Sequence, residues 1–251
     1  MIGIEERLKS PRKPQDIWEG DKLDRISEAR AFTIFLDNRY NELAAESWGR
    51  AYSVAVQGAY GLGKTTFLEG VAEMLAHNHA VAWVNAWTDD TIDDPFTSLT
   101  EAIERALRPL ATTRATKAKL TKFGKAGLGV AGSVAKGGLL KAVSLVADDD
   151  HVEDVLRIIG GGATGGIEKI AEKLATEERN TYRARAKAIA TLKTDLAAAI
   201  DAIAGTANFH PPVYIVIDEL DRCRPPYAIR MLETIKHLLD VPGLTFLLGI
   251  E

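Results

Sequence analysis

The chain has 251 residues, of which 46% are hydrophobic and 26% charged, so its apolar content is sufficient for a folded core. A net charge of −4 excludes the overall positive field of nonspecific nucleic-acid binders, and a single cysteine, Cys223, excludes an internal disulfide. No apolar stretch follows the charged start, so we expect no signal peptide and a cytoplasmic location.

A lead-in and a helix are predicted before the first motif. Residues 1–24 hold Pro11 and Pro14 among charged residues, which is typical of mostly irregular structure. Apolar residues at helical spacing then predict a helix from Ser27, a candidate N-cap, to about residue 46.

A glycine-rich loop lies between a predicted strand and a predicted helix. Residues 53–57 predict a short buried strand, and residues 66–75 an amphipathic helix. Between them the sequence matches G-x-x-x-x-G-K-[ST], a loop that surrounds nucleotide phosphates with backbone N–H groups. The residues of this loop are Gly58, Ala59, Tyr60, Gly61, Leu62, Gly63, Lys64, Thr65 and Thr66. A chance match is the alternative, which the strand–loop–helix context disfavours.

The motif assigns roles to two side chains of the loop. Lys64 reaches the β- and γ-phosphates, and the hydroxyl of Thr65 ligates Mg²⁺. Glycines are needed because the N–H groups converge on an anion only through backbone conformations closed to larger residues. The sequence therefore predicts a nucleotide site.

A second strand and a helix follow the loop. Residues 80–87 predict a buried strand, in which Trp83 and Trp87 are interpreted as core residues. Asp94-Pro95 then opens a helix predicted over 96–107.

Residues 111–190 differ in composition from the rest and are interpreted as a helical, glycine-rich and basic insertion. Residues 105–147 hold nine basic residues and no Asp or Glu. The longest uncharged stretches, 126–135 and 158–167, are ten residues each, whereas a membrane-spanning helix needs about 20. We therefore expect no spanning helix.

Three interpretations of the insertion stay open. Five apolar residues line one helical face, with the lysines largely off it: Leu120, Phe123, Gly127, Val130 and Val134. This pattern is typical of a helix on an anionic membrane surface, so residues 113–147 are candidates for contact with the inner membrane surface or a protein partner. The alternatives are a loosely packed hairpin that covers the sheet or a disordered loop, and contacts with nucleic-acid phosphates.

The last part of the chain predicts two further strands. Residues 213–218 and 244–250 are apolar runs, separated by a helix predicted over 227–240. Strands that are apolar throughout and alternate with helices indicate a parallel sheet covered on both faces.

Acidic residues end the first of these two strands. Asp218 is predicted to hold Mg²⁺, and Glu219 to polarise the water that attacks the γ-phosphate. The alternative is that Glu219 and Asp221 only begin a solvated helix, where acids favour the dipole. Lys64, Asp218 and Glu219 are thus the candidate catalytic residues, and Thr65 and Asp218 are the candidate metal ligands.

Six segments together resemble the KAP family of P-loop NTPases. They are Gly20–Leu23, Gly58–Gly61, Asn85–Trp87, Val216–Pro225, Met231–Lys236 and Val241–Leu244. The Asp-Glu-Leu-Asp-Arg-Cys run over 218–223 is the most specific part, and the resemblance covers residues 18–108 and 190–251.

The resemblance implies a three-layer α/β P-loop fold of the additional-strand type, with the fourth strand central and ATP and Mg²⁺ as ligands. It divides the chain into a lead-in (1–24), a first core part (25–110), an insertion (111–190) and a second core part (191–251). It further implies hydrolysis that drives conformational change or assembly, in phage defence or membrane-linked signalling, with partners or further copies of the chain. A nucleotide-gated scaffold with little turnover is the alternative function.

The family pattern continues past the point where this sequence stops. We therefore expect the last strand of the sheet to come from a later region of the protein or from a partner chain. Glu251 is the candidate sensor of the γ-phosphate, and the candidate arginine fingers are Arg222, Arg224 and Arg230.

Overall fold

Four segments rich in β-branched and aromatic residues form one parallel sheet in the computed structural model of the chain. They are β1 (Tyr52–Gln57), β2 (Val81–Asn85), β3 (Val213–Asp218) and β4 (Leu244–Ile250). The strand order is β1-β4-β3-β2, which confirms that the fourth strand lies between the loop strand and the Asp218 strand. Helices connect the strands, so the fold is the predicted α/β P-loop type.

The residues that the structure describes are 3–46, 49–92, 94–146, 167–204 and 209–251. The chain divides into two compact units, one of Met1–Gly124 with Lys193–Glu251 and one of Lys125–Leu192. The sheet and the candidate site belong to the first unit. The predicted domain boundaries, including the insertion at 111–190, stay a prediction.

Helices of very different length accompany the sheet. They are α1 (Ile4–Lys9), α2 (Pro14–Ile17), α3 (Arg25–Ala45), α4 (Lys64–Leu75), α5 (Ala86–Asp89), α6 (Pro95–Leu107), α7 (Arg114–Val146), α8 (Ile167–Ala204) and α9 (Pro225–Leu238). Helix α6 has the predicted bounds, because the Asp94 carboxylate accepts a hydrogen bond from the Phe96 N–H and Pro95 occupies the first turn.

The strand register places the polar strand ends at one edge of the sheet. Gln57 lies opposite Ile250, and Asn85 lies opposite Asp218. Because the strands are parallel, the loops that follow β1, β2 and β3 leave from the same edge, where open α/β sheets bind ligands.

Strand β1 differs from the prediction of a buried strand. Its side chains alternate, with Ser53, Ala55 and Gln57 exposed and the others half-buried, whereas β3 is buried throughout. The physical reason is its position at the edge of the sheet, where among the described residues it pairs with β4 only.

The N-terminal segment also corrects the prediction. Residues 1–24 contain α1 and α2 rather than mostly irregular structure, and α3 begins at Arg25 instead of after Ser27. The start is set by Asp21, whose carboxylate accepts the Arg25 backbone N–H at 2.6 Å and its Nε at 2.7 Å. Asp24 precedes the helix in the left-handed region, at φ 54°.

The core beside α4 combines the N-terminal segment with the sheet. Trp18, Leu36 and Leu68 are buried together with Tyr214 and Leu247 of the central strands. The ring of Trp18 lies directly on Gly70, where a Cβ atom would approach Cζ2 to 2.3 Å. The helix that follows the glycine-rich loop is thus fixed from two sides by apolar packing.

Part of the apolar face of α7 that was a candidate for membrane contact is buried. Leu120, Phe123, Gly127 and Val130 are buried, so the described part of that face is not presented to a membrane surface. The side chain of Val134 and residues 147–166 lie outside the described residues. In the described ranges, every helix is too short or too polar to span a membrane.

Candidate nucleotide site

The loop between β1 and α4 has the backbone of an anion-binding turn. We call residues 58–66 the glycine loop. Gly61 and Gly63 both adopt φ +83°, a left-handed conformation that other residues rarely enter. Helix α4 begins at Lys64, so its first N–H groups and the positive end of its dipole face the loop.

The Lys64 ammonium and the backbone N–H of Gly58 both donate hydrogen bonds to main-chain carbonyl oxygens. The Lys64 ammonium donates to the carbonyl oxygen of Gly58 at 2.5 Å and lies 3.4 Å from that of Ala59. The N–H of Gly58 donates to the carbonyl of Ile250 at 3.3 Å, which joins the loop to the end of β4. The ammonium therefore lies against the backbone of the loop, and its predicted contact with the phosphates stays a prediction.

Asp218 is a buried carboxylate at the end of β3. Its side chain is 1% exposed, and its Oδ2 atom has no hydrogen-bond partner among the described residues. Burial raises the pKa of Asp218, although a hydrogen bond from the Thr65 hydroxyl acts in the opposite direction. An unpaired buried oxygen is costly in a resting protein, so this atom is available to a bound cation or water.

Gly249 makes the space for Asp218, which sequence reasoning missed. A Cβ atom at position 249 would lie 2.6 Å from Asp218 Oδ1 and 2.8 Å from Leu68 Cδ1. The only available signal was a glycine inside an otherwise apolar strand, which marks close approach of another group.

Glu219 follows in a strained conformation and is held at both carboxylate oxygens. Its backbone adopts φ 60°, which is uncommon for a residue with a Cβ atom. Oε2 accepts a hydrogen bond from Asn85 Nδ2 at 2.9 Å, and Oε1 lies 2.7 Å from Nη1 of Arg222. The Asn85 amide is oriented as well, because its Oδ1 accepts the Thr88 N–H at 2.9 Å.

Arg222 lies between two exposed aromatic rings. Its guanidinium carbon is 5.3 Å from the ring centre of Tyr60 in the glycine loop and 5.9 Å from that of Trp87. Trp87 was predicted in the core but is 54% exposed. The reason is that β2 ends at Asn85, whose side chain caps α5 and turns Trp87 outwards.

The other candidate arginine fingers lie elsewhere. Arg224 is bonded to Asp90 through its backbone N–H and its Nε at 3.0 Å, which joins the turn after α5 to the start of α9. Arg230 lies within α9. Among the described residues these two, like the exposed Glu251, do not line the cavity at the glycine loop.

Most of the predicted residues line one cavity of about 230 Å³, whereas Gly58, Ala59, Leu62 and Thr66 of the glycine loop do not. The cavity is lined by Tyr60, Gly61, Gly63, Lys64, Thr65, Asp218, Glu219, Asp221 and Arg222. Pockets that hold a whole ligand usually measure about 300–1,000 Å³, so this cavity fits the phosphate end of a nucleotide better than the entire molecule. It joins a cationic, N–H-rich wall to an acidic wall, which is the chemistry that a metal-bound phosphate requires.

The comparison with protein families decides the classification. A model of the KAP family P-loop domain matches residues 33–251, which is most of the chain. The chain belongs to the KAP family. No curated protein and no solved structure matched this KAP P-loop domain. Membership indicates nucleotide binding and hydrolysis as the class of activity, and the roles of individual residues are argued from the geometry.

Proposed function

We propose that this KAP P-loop domain binds ATP with Mg²⁺ and hydrolyses it. The observation that carries the proposal is the buried carboxylate of Asp218, with an unpaired oxygen, in one cavity with Lys64 and Glu219. A protein that only binds phosphate needs the glycine loop alone. An acidic wall opposite the loop is the additional element that a hydrolase requires.

The glycine loop binds the phosphates through its backbone N–H groups and the first turn of α4. Lys64 exchanges the carbonyl of Gly58 for the β- and γ-phosphate oxygens, which are stronger acceptors because they are charged. This exchange replaces a contact within the loop with a contact to the ligand.

The residues beside the loop fit a magnesium ion. Thr65 offers a hydroxyl and Asp218 a carboxyl oxygen without a hydrogen-bond partner among the described residues, which are hard ligands of the kind that Mg²⁺ prefers. Bound Mg²⁺ supplies the positive charge that neutralises the phosphate oxygens during transfer.

Glu219 acts on water. Its carboxylate accepts a proton as the water oxygen forms a bond to the γ-phosphorus, and the bond from that phosphorus to the bridging oxygen breaks to release ADP. Asn85 keeps the carboxylate of Glu219 in the cavity during this step.

A nucleotide-gated scaffold is the second candidate function. It is favoured by one observation, that both carboxylate oxygens of Glu219 already accept donors from Asn85 and Arg222. If these bonds persist with ATP bound, water is polarised poorly and the protein binds ATP with little turnover. In either function, coupling to phage defence or membrane-linked signalling rests on the family resemblance.

Glu219→Gln separates the two functions. We expect the variant to bind ATP with a dissociation constant within about threefold of wild type and to lose at least about 100-fold in kcat, since a general base contributes that much. Phosphate release and fluorescent-nucleotide titration measure the two quantities. Glu233→Gln, an exposed carboxylate on α9, is the matched control. Equal near-zero rates for wild type and Glu219→Gln, with ATP still bound, would contradict hydrolysis and leave the scaffold. Equal rates well above zero would show only that Glu219 is not the base.

A further inference from the structure

Asn85 and Arg222 each hold one carboxylate oxygen of Glu219. These contacts give Arg222 a role other than that of an arginine finger. We propose that Arg222 is a positioning residue, which holds Glu219 in its working geometry and connects it to the glycine loop through Tyr60. The inference rests on the proposed function, because it needs Glu219 to act on water.

The ion pair is built more firmly than an ordinary surface pair. Exposed ion pairs contribute little because two long side chains must be ordered in water. Here the Glu219 side chain is only 14% exposed, and its other oxygen is fixed by Asn85 at 2.9 Å. On the other side, the guanidinium is restricted by the rings of Tyr60 and Trp87. Because their neighbours already restrict both side chains, Glu219 and Arg222 lose less conformational entropy on pairing than two exposed side chains would.

The rate of hydrolysis depends on how accurately the Glu219 carboxylate is placed beside the attacking water. A glutamate has three rotatable side-chain bonds, and a misplacement of about 1 Å in a catalytic group reduces rates by up to about 100-fold. Asn85 alone leaves the carboxylate free to rotate about its contact with the amide. A second donor at Oε1 removes this freedom, and Arg222 is the residue that supplies it.

The contact with Tyr60 makes the position of Arg222 dependent on the glycine loop. Tyr60 lies between Gly58 and Gly61, so its ring moves with the loop backbone. When phosphates order the loop, the ring fixes the guanidinium, and the guanidinium fixes Glu219. A lysine at position 222 keeps the charge but lacks the planar group that stacks on an aromatic ring.

Steady-state kinetics with MgATP test this inference. We expect Arg222→Ala to lower kcat about tenfold with KM and the ATP dissociation constant within about twofold, because the variant loses orientation of Glu219 and keeps the phosphate contacts. Arg222→Lys is expected to recover only part of kcat, and Trp87→Ala to lose about threefold, since it removes one of two rings. Arg39→Ala, an exposed arginine paired with Glu42 on α3, is the control and should leave both constants unchanged.

The double variant Glu219→Gln/Arg222→Ala decides whether Arg222 acts through Glu219. We expect it to hydrolyse ATP at the rate of Glu219→Gln alone. A further loss in that background, or a rise in KM equal to the fall in kcat, would show that Arg222 contacts the phosphates directly and would overturn the inference. An unchanged or increased kcat of Arg222→Ala would also overturn it.

The two proposals fail separately. Absence of hydrolysis by the wild-type protein, with ATP still bound, contradicts the proposed function whatever Arg222 does. A tenfold or larger loss in Glu219→Gln with no loss in Arg222→Ala contradicts only the role of Arg222. If Arg222→Ala does not fold, as judged by its thermal unfolding, Arg222→Lys and Trp87→Ala carry the test.

Discussion

Gly70 shows how one missing side chain positions a neighbouring residue. The ring of Trp18 occupies the space where a Cβ atom would stand, at 2.3 Å from Cζ2 and 2.7 Å from Cη2. Gly124 is also crowded, but there the neighbour is Oε2 of Glu104 at 2.4 Å, the end of a flexible side chain. The two glycines therefore differ in what surrounds them, although both lie within helices.

Alanine at these two positions is expected to have opposite effects. Gly124→Ala should stabilise the fold by up to about 1 kcal/mol, because alanine favours the helix and Glu104 can move aside. Gly70→Ala should lower the free energy of unfolding by roughly 1–3 kcal/mol, because the buried indole of Trp18 has no room to move. Urea unfolding measures both values. A stabilised Gly70→Ala would mean that Trp18 does not pack on α4 as described.

Residue-scale prediction from the sequence found the charged groups of the site but not their surroundings. A motif identifies Lys64, Thr65 and Asp218 because phosphate and metal chemistry restricts those positions. The bonds of Glu219 to Asn85 and Arg222 depend on which strands are neighbours and on a left-handed backbone. The contact with Asn85 joins distant parts of the chain and leaves no local pattern. The contact with Arg222 is local in sequence, but it depends on the left-handed backbone of Glu219, which the sequence does not indicate.

Two ion pairs join the N-terminal segment to α4, the helix that carries the glycine loop. Arg12 donates from Nε and Nη2 to the two carboxylate oxygens of Glu73, at 2.8 and 2.9 Å, and Arg7 lies 2.6 Å from Glu69. Glu73 is completely buried, so its charge depends on Arg12 for compensation. Helix α4 is therefore held against the N-terminal segment by ion pairs as well as by the packing of Trp18.

The Glu73 pair predicts a loss of stability in acid. Burial acts to raise the pKa of Glu73, but the hydrogen bonds and charge of Arg12 outweigh it and hold that pKa below its ordinary value. A lowered pKa in the folded state gives stability that is present above the unfolded pKa of about 4.3 and is lost as the pH falls through the folded value. We expect Glu73→Gln to be less stable than wild type at pH 7 and the difference to narrow below about pH 4.

Urea unfolding between pH 7 and pH 3 measures this difference. Glu42→Gln is the control, since Glu42 forms an exposed pair with Arg39 and should contribute less than about 1 kcal/mol at any pH. A constant difference between Glu73→Gln and wild type over the whole range would show that Arg12 does not compensate the charge.

The bounds of a strand could be predicted from the sequence where both of its faces are buried, and less well where only one face is buried. Strand β3 is buried on both faces, and its apolar run has the bounds that the sequence predicts. The same reasoning misplaced Trp87, because the run of apolar residues continues after β2 has ended at the cap formed by Asn85. It also missed α1 and α2, which are too short to show helical periodicity and are held by contacts with α4.

For the whole molecule, nucleotide binding predicts a shift in thermal stability. MgATP at about 100 times its dissociation constant should stabilise the fold by about 2.7 kcal/mol. For a protein of this length that corresponds to roughly 5–10 °C in Tm. Lys64→Ala should lose most of this shift, whereas Glu219→Gln and Arg222→Ala should keep it. Differential scanning fluorimetry measures the shift, and an equal shift in Lys64→Ala would place the ligand outside the glycine loop.

The hydrogen bond from Gly58 to the carbonyl of Ile250 has a mechanical consequence. A displacement of the backbone after β4 reaches the first glycine of the loop through main-chain atoms alone. Most side-chain substitutions leave this contact in place, whereas proline at position 58 would remove its donor. The end of β4 and the first residue of the phosphate-binding loop are thus neighbours through their backbones, although 192 positions separate Gly58 from Ile250 in the sequence.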